Sequence, residues 1–265
     1  MQKHILLLGL FFTITLTSET GCNSDQSNDY YAGYSNGEYY EPKVVYEFED
    51  EYWETALGCY GFQASMQEVM EAMPAIYQDF LPLFEPDFIE AELDSIILVK
   101  DLRWYNDGEI AGLYPGNKTI AINTDDQSQS LLVHEFIHAF DDNHESEEFM
   151  DNFSSFNLQE YGGYDIGTGK TCVHIEKELL RHMIPDIQEE IWLDGYDYGD
   201  DKCLEKGFVS EYSTSSYYED FAEFVTIMIL RPNKIKEWAG QYPNIQSKVD
   251  LCLERFEEIG YNYNY

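Results

Sequence analysis

The fold of this chain is organised around one stretch, Leu131-Leu132-Val133-His134-Glu135-Phe136-Ile137-His138-Ala139-Phe140. Its apolar residues recur every three or four positions, which predicts a helix with one buried face. On that helix His134 and His138 lie one turn apart, so both imidazoles project from the same face toward one point. Glu135 follows the first histidine directly, and its carboxylate can reach the space in front of the two rings. The sequence therefore predicts a helix that gathers two imidazoles and a carboxylate in one place.

Two imidazoles at this spacing suit a zinc ion. Neutral imidazole nitrogens bind Zn²⁺ at about 2.0–2.1 Å, and one helical turn brings both of them to the same ion. The pattern His-Glu-x-x-His is the signature of zinc-dependent peptidases, in which the glutamate acts on water and does not bind the metal. The alternative is an ordinary core helix whose histidines are satisfied by hydrogen bonds. We favour His134 and His138 as zinc ligands, with Glu135 as the general base.

The composition predicts a globular protein with a strongly acidic surface. The chain has 265 residues, including 22 Tyr and 16 Phe, which is long enough for one large domain with a sizeable core. Asp and Glu number 51 and Lys and Arg 15, so the net charge is -36. Such a surface repels nucleic acid and anionic membranes and favours cationic partners. We therefore expect no nucleic-acid partner.

The N-terminus is typical of an export signal. Lys3 precedes the apolar run Ile5–Phe12, which is too short to span a bilayer as a permanent helix. A glycine directly before Cys22, with polar residues after it, resembles a bacterial lipoprotein processing site. We expect residues 1–21 to be removed and Cys22 to carry lipid, which would place the protein at the outer membrane or cell surface. Glu19 departs from the Leu that this motif prefers, so ordinary secretion is the alternative.

The mature N-terminus is predicted to be a tether. Residues 22–45 are rich in Ser, Asn, Asp, Gly and Tyr and nearly free of aliphatic residues until Val44. We therefore assign residues 46–265 to a single domain.

Four cysteines remain after Cys22, and an even number in an exported protein allows two disulfides. Cys172 and Cys203 bracket one insert, so we expect them to pair, and Cys59 would then pair with Cys252 by elimination. Four free, buried thiols are the alternative.

The secondary structure predicts a mixed α+β fold. Ile96–Val99 and Thr119–Ile122 are β-rich runs upstream of the histidine helix. Helical periodicity extends over Phe62–Phe80, from Tyr217 to about Leu230, and in one or two helices within 233–260.

An acidic loop, residues 194–201, carries four aspartates among Gly and Tyr. Oxygen ligands at this spacing could hold Ca²⁺, but the loop matches no EF-hand register. We interpret it as a solvated loop.

Two histidines leave a tetrahedral zinc one protein ligand short of a catalytic site. His144 follows His138 by six residues, as the third histidine does in metzincins, but that scheme needs Gly where this chain has Asp141. On a continuing helix His144 would also point about 120° away from the other two rings. Glu219 is the other candidate, and it shares a helix face with a second carboxylate, Glu223, one turn later.

The pair Glu219 and Glu223 resembles the gluzincin arrangement. The segment is similar to the catalytic domain of anthrax lethal factor and to the Pro-Pro endopeptidases, which carry a Tyr seven residues before the zinc-binding Glu, as Tyr212 precedes Glu219 here. It also resembles bacterial lipoproteins that are classed as zinc-binding metallopeptidases. The resemblance covers residues 131–142 and 207–225 well.

This resemblance implies a zincin-like, two-lobed metallopeptidase, with a small sheet beside the metal-binding helix and a helical C-terminal lobe. It implies three zinc ligands, His134, His138 and Glu219. Tyr212 would donate its hydroxyl to the developing oxyanion, and Glu223 would accept a hydrogen bond from a ligand histidine. Asp142 is a weaker candidate for the same supporting role. The resemblance also places a substrate-pairing edge strand just upstream of the metal helix, at Thr119–Ile122.

We therefore expect a zinc-dependent endopeptidase that acts on peptides or proteins and touches the membrane through its lipid anchor alone. A rival hypothesis is a non-enzymatic surface lipoprotein that binds protein or glycan through its acidic, Tyr-rich exterior. The intact general base Glu135 argues against it, because a decayed peptidase would be free to lose that residue.

Overall fold

The computed structural model describes residues 41–48, 51–105, 108–161, 199–261 and 263, all within the unit Glu38–Tyr265. The predicted signal peptide, Cys22 and the tether up to residue 40 lie outside these ranges. So do Cys172 and the acidic-loop positions 194–198. None of the helices in the described ranges is both long enough and apolar enough to span a bilayer.

Six strands form one mixed sheet. They are β1 (Lys43–Val45), β2 (Tyr52–Glu54), β3 (Cys59–Gln63), β4 (Ser95–Trp104), β5 (Gly112–Gly116) and β6 (Thr119–Asn123). The order across the sheet is β2-β3-β4-β6-β5, and β1 also pairs with β4. The β1–β4 and β4–β6 pairs are parallel, and the other pairs are antiparallel. Because Lys43–Val45 belong to the sheet, the predicted tether boundary at residue 45 is too late.

β6 is an inner strand of this sheet, and β5 is an outer strand. Ile120, Ala121 and Ile122 are all fully buried, as expected for a strand that is covered on both faces. β6 lies between β4 and β5, so its backbone is paired on both sides. The expectation that Thr119–Ile122 form the edge strand is therefore wrong, and that position belongs to β5.

Eight α-helices complete the described fold. They are α1 (Met66–Pro74), α2 (Pro86–Glu92), α3 (Gln129–Asn143), α4 (Glu147–Ser155), α5 (Asp201–Leu204), α6 (Tyr217–Leu230), α7 (Pro232–Ala239) and α8 (Pro243–Glu258). A sheet with helices in one described unit confirms the α+β class. The sequence predicted one or two helices within 233–260, and the structure has two, α7 and α8.

The predicted helix Phe62–Phe80 begins too early. Phe62 belongs to β3, and the helix starts at Met66 because Ser65 caps it. The Ser65 hydroxyl accepts from the backbone N–H of Glu68, and the Glu68 carboxylate accepts in return from the N–H of Ser65. After Pro74 the chain continues as a π-helical segment, Ala75–Phe80.

An aromatic core holds α3 in place. Phe136 on α3 packs against Phe84, with ring centroids 4.7 Å apart, and also contacts Phe80 and Phe88. Phe88 in turn stacks on Tyr261 with a centroid distance of 4.1 Å. Such aromatic pairs add to the stabilisation from buried area. The helix that carries both histidines is therefore fixed from behind by aromatic rings of residues 80–88, and Tyr261 packs against these rings in turn.

The helix predicted from Tyr217 to about Leu230 is confirmed as α6. It begins where the hydroxyl of Ser216 accepts a hydrogen bond from the Glu219 N–H at 3.3 Å, and it ends at Arg231 before Pro232. α6 packs directly on α3. This packing brings His134 and Glu219, which are 85 positions apart in the sequence, to one site.

A buried ion pair joins α8 to α6. Lys248 Nζ lies 2.5 Å from Asp220 Oδ2, and both side chains are fully buried. Asn157 and Tyr161 also donate to that carboxylate oxygen at 2.9 Å, and the ammonium lies 4.3 Å from the ring centre of Phe153. Burial raises the pKa of Asp220 and lowers that of Lys248, and their attraction opposes both shifts.

The predicted disulfide between Cys59 and Cys252 is wrong. Both thiols are free and fully buried, one on β3 and the other on α8. Burial raises the pKa of Cys59 to about 11. An even count of cysteines carries no distance information, whereas a disulfide needs Cα atoms about 4.4–6.8 Å apart. The pairing of Cys203 with Cys172 stays a prediction, because Cys172 lies outside the described residues.

The described end of the acidic loop has structural contacts. Asp200 caps α5 by accepting from the N–H of Lys202 at 2.8 Å, and Asp201 accepts from the hydroxyl of Tyr242 at 2.8 Å.

Candidate metal centre

Helix α3 presents His134 and His138 toward a cleft. Its N-terminus is capped by Ser128, which accepts from the N–H of Leu131 at 3.2 Å. His134 and Glu135 are only 3% and 6% exposed, because the sheet and α6 cover the helix on most of its surface. Two polar side chains at this depth require partners.

Three side-chain atoms meet at one point. His134 Nε2 lies 3.1 Å from His138 Nε2 and 3.0 Å from Glu219 Oε2, and His138 Nε2 lies 3.3 Å from the same oxygen. Ligands at about 2.0–2.1 Å from a tetrahedral zinc lie about 3.3–3.4 Å from one another. The three atoms therefore have nearly the spacing that a zinc ion requires, and they are the three-residue cluster in the described part of the chain that could hold a metal.

The electrostatics of this cluster favour positive charge. Burial opposes protonation of His134, but hydrogen bonds to Glu219 and Glu223 outweigh it and raise the pKa of His134 well above its usual value. Burial also disfavours ionised Glu219, yet the two histidines lower the pKa of that carboxyl overall. The two carboxylates beside the paired imidazoles favour a bound cation at this point, and a divalent metal ion would supply that charge. The donor set thus fits zinc in both geometry and charge.

Glu223 supports His134 from behind. Its Oε1 lies 3.0 Å from His134 Nδ1, the nitrogen that faces away from the cluster, and its side chain is fully buried. The hydroxyl of Ser210 donates to the other oxygen, Glu223 Oε2, at 2.7 Å. Contacts of this kind fix the tautomer and the orientation of a ligand histidine. Glu223 is the residue that the sequence predicted for this role.

Ser210 is a supporting residue that the sequence analysis missed. Its hydroxyl also accepts from the N–H of Ser213 at 3.0 Å, and the Ser213 hydroxyl donates to the Ser210 carbonyl at 2.7 Å. Both serines are buried. In a segment with four serines, 207–225, nothing in the sequence distinguishes this one, because its partner Glu223 is 13 positions away.

Tyr212 lies on the 3-10 turn Tyr212–Thr214, immediately before α6. Its ring centroid is 6.0 Å from that of His134, and the residue lines the cleft. Its backbone carbonyl accepts from the Ser215 hydroxyl at 2.8 Å, which ties the turn to the residue that follows it. The structure therefore places the tyrosine ring beside the histidine cluster.

Glu135 lines the same cleft next to the two histidines. Burial raises its pKa, while the nearby histidines oppose that shift. A raised pKa makes this carboxylate a better proton acceptor than an ordinary glutamate.

Two other candidates lie away from the cluster. His144 Nε2 is 2.7 Å from Glu92 Oε1, and Asn143 donates to the other oxygen of the same carboxylate at 2.8 Å. His144 thus faces the end of α2. Asp142 is exposed and accepts from the Tyr114 hydroxyl at 2.7 Å, and no hydrogen bond to His134 or His138 is found for it within the described chain.

The cleft in front of the cluster has a volume of about 880 Å³. Residues 108–114 line it together with residues of α3, Tyr212, Tyr218 and Glu219. Its described lining includes the carboxylates of Glu109 and Glu145 and contains neither Lys nor Arg. The metal candidate is therefore open to a ligand of substantial size, along an outer strand of the sheet.

The chain is similar to proteins that are described as zinc-binding. A family model described as "Putative zinc-binding metallo-peptidase" matches residues 116–250, which is 135 of the 265 residues. Among solved structures, this chain is similar to one titled a "putative zinc-binding metallo-peptidase" from Bacteroides caccae. The identity is 12%, the match covers 83% of this chain and 80% of that one, and the TM-score is 0.43. No curated protein matches.

Proposed function

We propose that this chain, which belongs to the family described as "Putative zinc-binding metallo-peptidase", is a zinc-dependent endopeptidase of the gluzincin type. One observation carries the proposal: His134, His138 and Glu219 converge within 3.3 Å of one another, in a cleft that also holds Glu135. A structural zinc site would be closed by four protein ligands, whereas three ligands and an open side are typical of catalytic zinc.

The three converging residues would hold the metal. His134 and His138 each supply a ring nitrogen, and Glu219 supplies a carboxylate oxygen. Zinc held there supplies Lewis-acid chemistry, since it makes water more acidic and polarises the carbonyl of a peptide bond. Glu223, 3.0 Å from Nδ1 of His134, would accept a hydrogen bond from the Nδ1–H group, which would leave the lone pair of Nε2 directed into the cluster.

Glu135 and Tyr212 would move protons and stabilise charge. Glu135 accepts a proton from the attacking water and passes it to the leaving amine, a task that its raised pKa supports. Tyr212 donates its hydroxyl to the oxyanion that develops on the scissile carbonyl. Its position beside His134 supports this role.

The substrate would bind as an extended strand along residues 112–114 of β5, which are the residues of this strand that line the cleft. β5 is an outer strand of the sheet. A peptide that adds to such an edge gains main-chain hydrogen bonds regardless of its sequence. The sheet with α3 would then form one lobe of a zincin-like molecule, and α6 to α8 would form the other.

We also propose that the enzyme is exported and carries lipid at Cys22, as the sequence before that cysteine suggests. Its partners would be peptide or protein substrates, and its contact with the membrane would be through the lipid alone. Removal of the anchor by Cys22→Ala should release the protein from the membrane fraction.

The test of the proposed function is zinc content and peptide cleavage on the same sample. We expect one zinc per chain and cleavage of a broad peptide library that a chelator abolishes and added zinc restores. Glu135→Ala should retain zinc and lose hydrolysis, because the base acts on water. Stoichiometric zinc without cleavage would overturn the peptidase and favour a binding protein. Cleavage that survives Glu135→Ala would overturn the proposed mechanism.

A further inference from the structure

Gly112, the first residue of β5, lies against the side chain of Glu135. A Cβ atom added at this glycine would lie 2.8 Å from Glu135 Cγ and 2.8 Å from Glu135 Oε1. It would also lie 3.0 Å from Leu131 Cδ1. Carbon atoms in packed interiors are separated by about 3.5–4.0 Å, so no side chain larger than hydrogen fits here without movement.

The backbone conformation does not explain this glycine. Gly112 is absent from the described glycines with positive φ, so an L residue could adopt its backbone angles. Gly116, at the other end of the same strand, is the reverse case. Its φ is +97°, and a Cβ there would meet no atom within 4 Å. Gly116 therefore serves the turn, whereas Gly112 leaves space for Glu135.

We propose that Gly112 is a positioning residue: its missing side chain seats the Glu135 carboxylate against the strand along which substrate would lie. This inference rests on the proposed function, in which Glu135 is the general base. Nothing in the spacing of the sequence motif points to Gly112, because it lies 23 positions before Glu135 and contacts it through the fold.

A side chain added at position 112 would be accommodated mainly by movement of the catalytic base, Glu135. Two of the three close atoms belong to Glu135, whose side chain can rotate, and the third is the end of a leucine side chain. The alternative is an outward shift of β5, which is paired with β6 alone in the described sheet. Either movement changes the distance between the carboxylate and a substrate on β5. A misplacement of about 1 Å at a reacting group can cost on the order of 10²-fold in rate.

The kinetic test compares Gly112→Ala with Gly116→Ala, its matched control on the same strand. Residue 116 lies outside the lining of the cleft. We expect Gly112→Ala to keep its zinc and its KM within about 3-fold while kcat falls about 10- to 100-fold. Gly116→Ala should lose a few degrees of Tm, on the order of 2–4 °C, through its strained φ, and keep its kcat. A wild-type kcat in Gly112→Ala, or an equal loss of kcat in both variants, would overturn the proposal.

A second arm does not depend on activity. If the crowding is with Glu135, the Tm loss caused by Gly112→Ala should shrink by at least about half when Glu135 is truncated to Ala, because residues in contact are energetically coupled. An equal Tm loss in both backgrounds would show that residue 112 does not act through Glu135. If the wild type binds zinc but cleaves no peptide, the proposed function fails. The comparison of Tm losses in the two backgrounds still shows whether residue 112 acts through Glu135.

Discussion

Glu219 and Asp220 are neighbours on α6, yet their carboxylates lie in opposite environments. Asp220 is fully buried and has an internal counter-ion, Lys248, at 2.5 Å. The Glu219 side chain is 24% exposed at the cleft, where it meets the rings of His134 and His138. One carboxylate is neutralised by the chain itself, whereas the other belongs to a cluster that favours an added cation.

The difference separates the part of the helix that stabilises the fold from the part that would act in catalysis. A buried ion pair contributes little net stability when intact, but removing one partner leaves an unpaired charge in the core. The Asp220–Lys248 pair holds α8 against the back of α6 and so fixes the helix that presents Glu219. The face of α6 that lines the cleft can then remain open to solvent while the helix stays fixed in position.

The largest effect on stability is expected from breaking the internal pair. Lys248→Met should lower the free energy of unfolding by about 3–5 kcal/mol, because Asp220 would remain buried without its counter-ion. Lys234→Met is the matched control, since the ion pair of Lys234 with Glu237 is about half exposed, and it should change stability by less than about 0.5 kcal/mol. Denaturant unfolding measures both. Equal losses of unfolding free energy in the two variants would show that the buried ion pair matters no more than the exposed one.

On the cleft side, Tyr212→Phe should lower kcat by on the order of 10²-fold with little change in KM, because one oxyanion donor is lost. Tyr218→Phe is the control and should keep its kcat. Tyr218 also lines the cleft and is 49% exposed, but it lies on α6 and not on the turn that carries Tyr212. Steady-state kinetics on one peptide compares them. A change confined to KM would make Tyr212 a substrate-binding residue instead.

Smaller effects are expected behind the cluster. Glu223→Ala should weaken zinc binding by about 10- to 100-fold, the scale for losing the partner of a ligand histidine. Ser210→Ala should weaken it less, since the serine acts through Glu223. In the Glu223→Ala background, Ser210→Ala should then have no further effect on zinc affinity, measured by competition with a chromogenic chelator. Additive losses would show that Ser210 acts independently.

Local patterns in the sequence predicted the elements that carry this contrast. Helical spacing predicted that His134 and His138 share a face, and helical periodicity predicted α6 from Tyr217 to about Leu230. The coarse α+β class followed from the same local signals. These features depend on neighbours within a turn or two, so they can be read without the fold.

Strand order could not be read in the same way. It depends on which strands pair across the sheet, and β6 pairs with β4 although β5 lies between them in sequence. One signal was available: Pro115 cannot donate to a ladder, which favours an outer strand for β5. The contacts of Ser210 and Gly112 depend on tertiary packing, and so does the free state of Cys59 and Cys252. None of these features leaves a pattern in the local sequence.

The central claim is that Glu219, and not His144, completes a zinc centre with the two helical histidines. The most direct measurement is the zinc content of Glu219→Ala and His144→Ala, purified side by side with the wild type. We expect Glu219→Ala to lose most of its zinc and all hydrolysis, because two histidines alone cannot hold a tetrahedral ion tightly. His144→Ala should keep both, since its ring is hydrogen-bonded to Glu92. Zinc retained in Glu219→Ala and lost in His144→Ala would contradict the account.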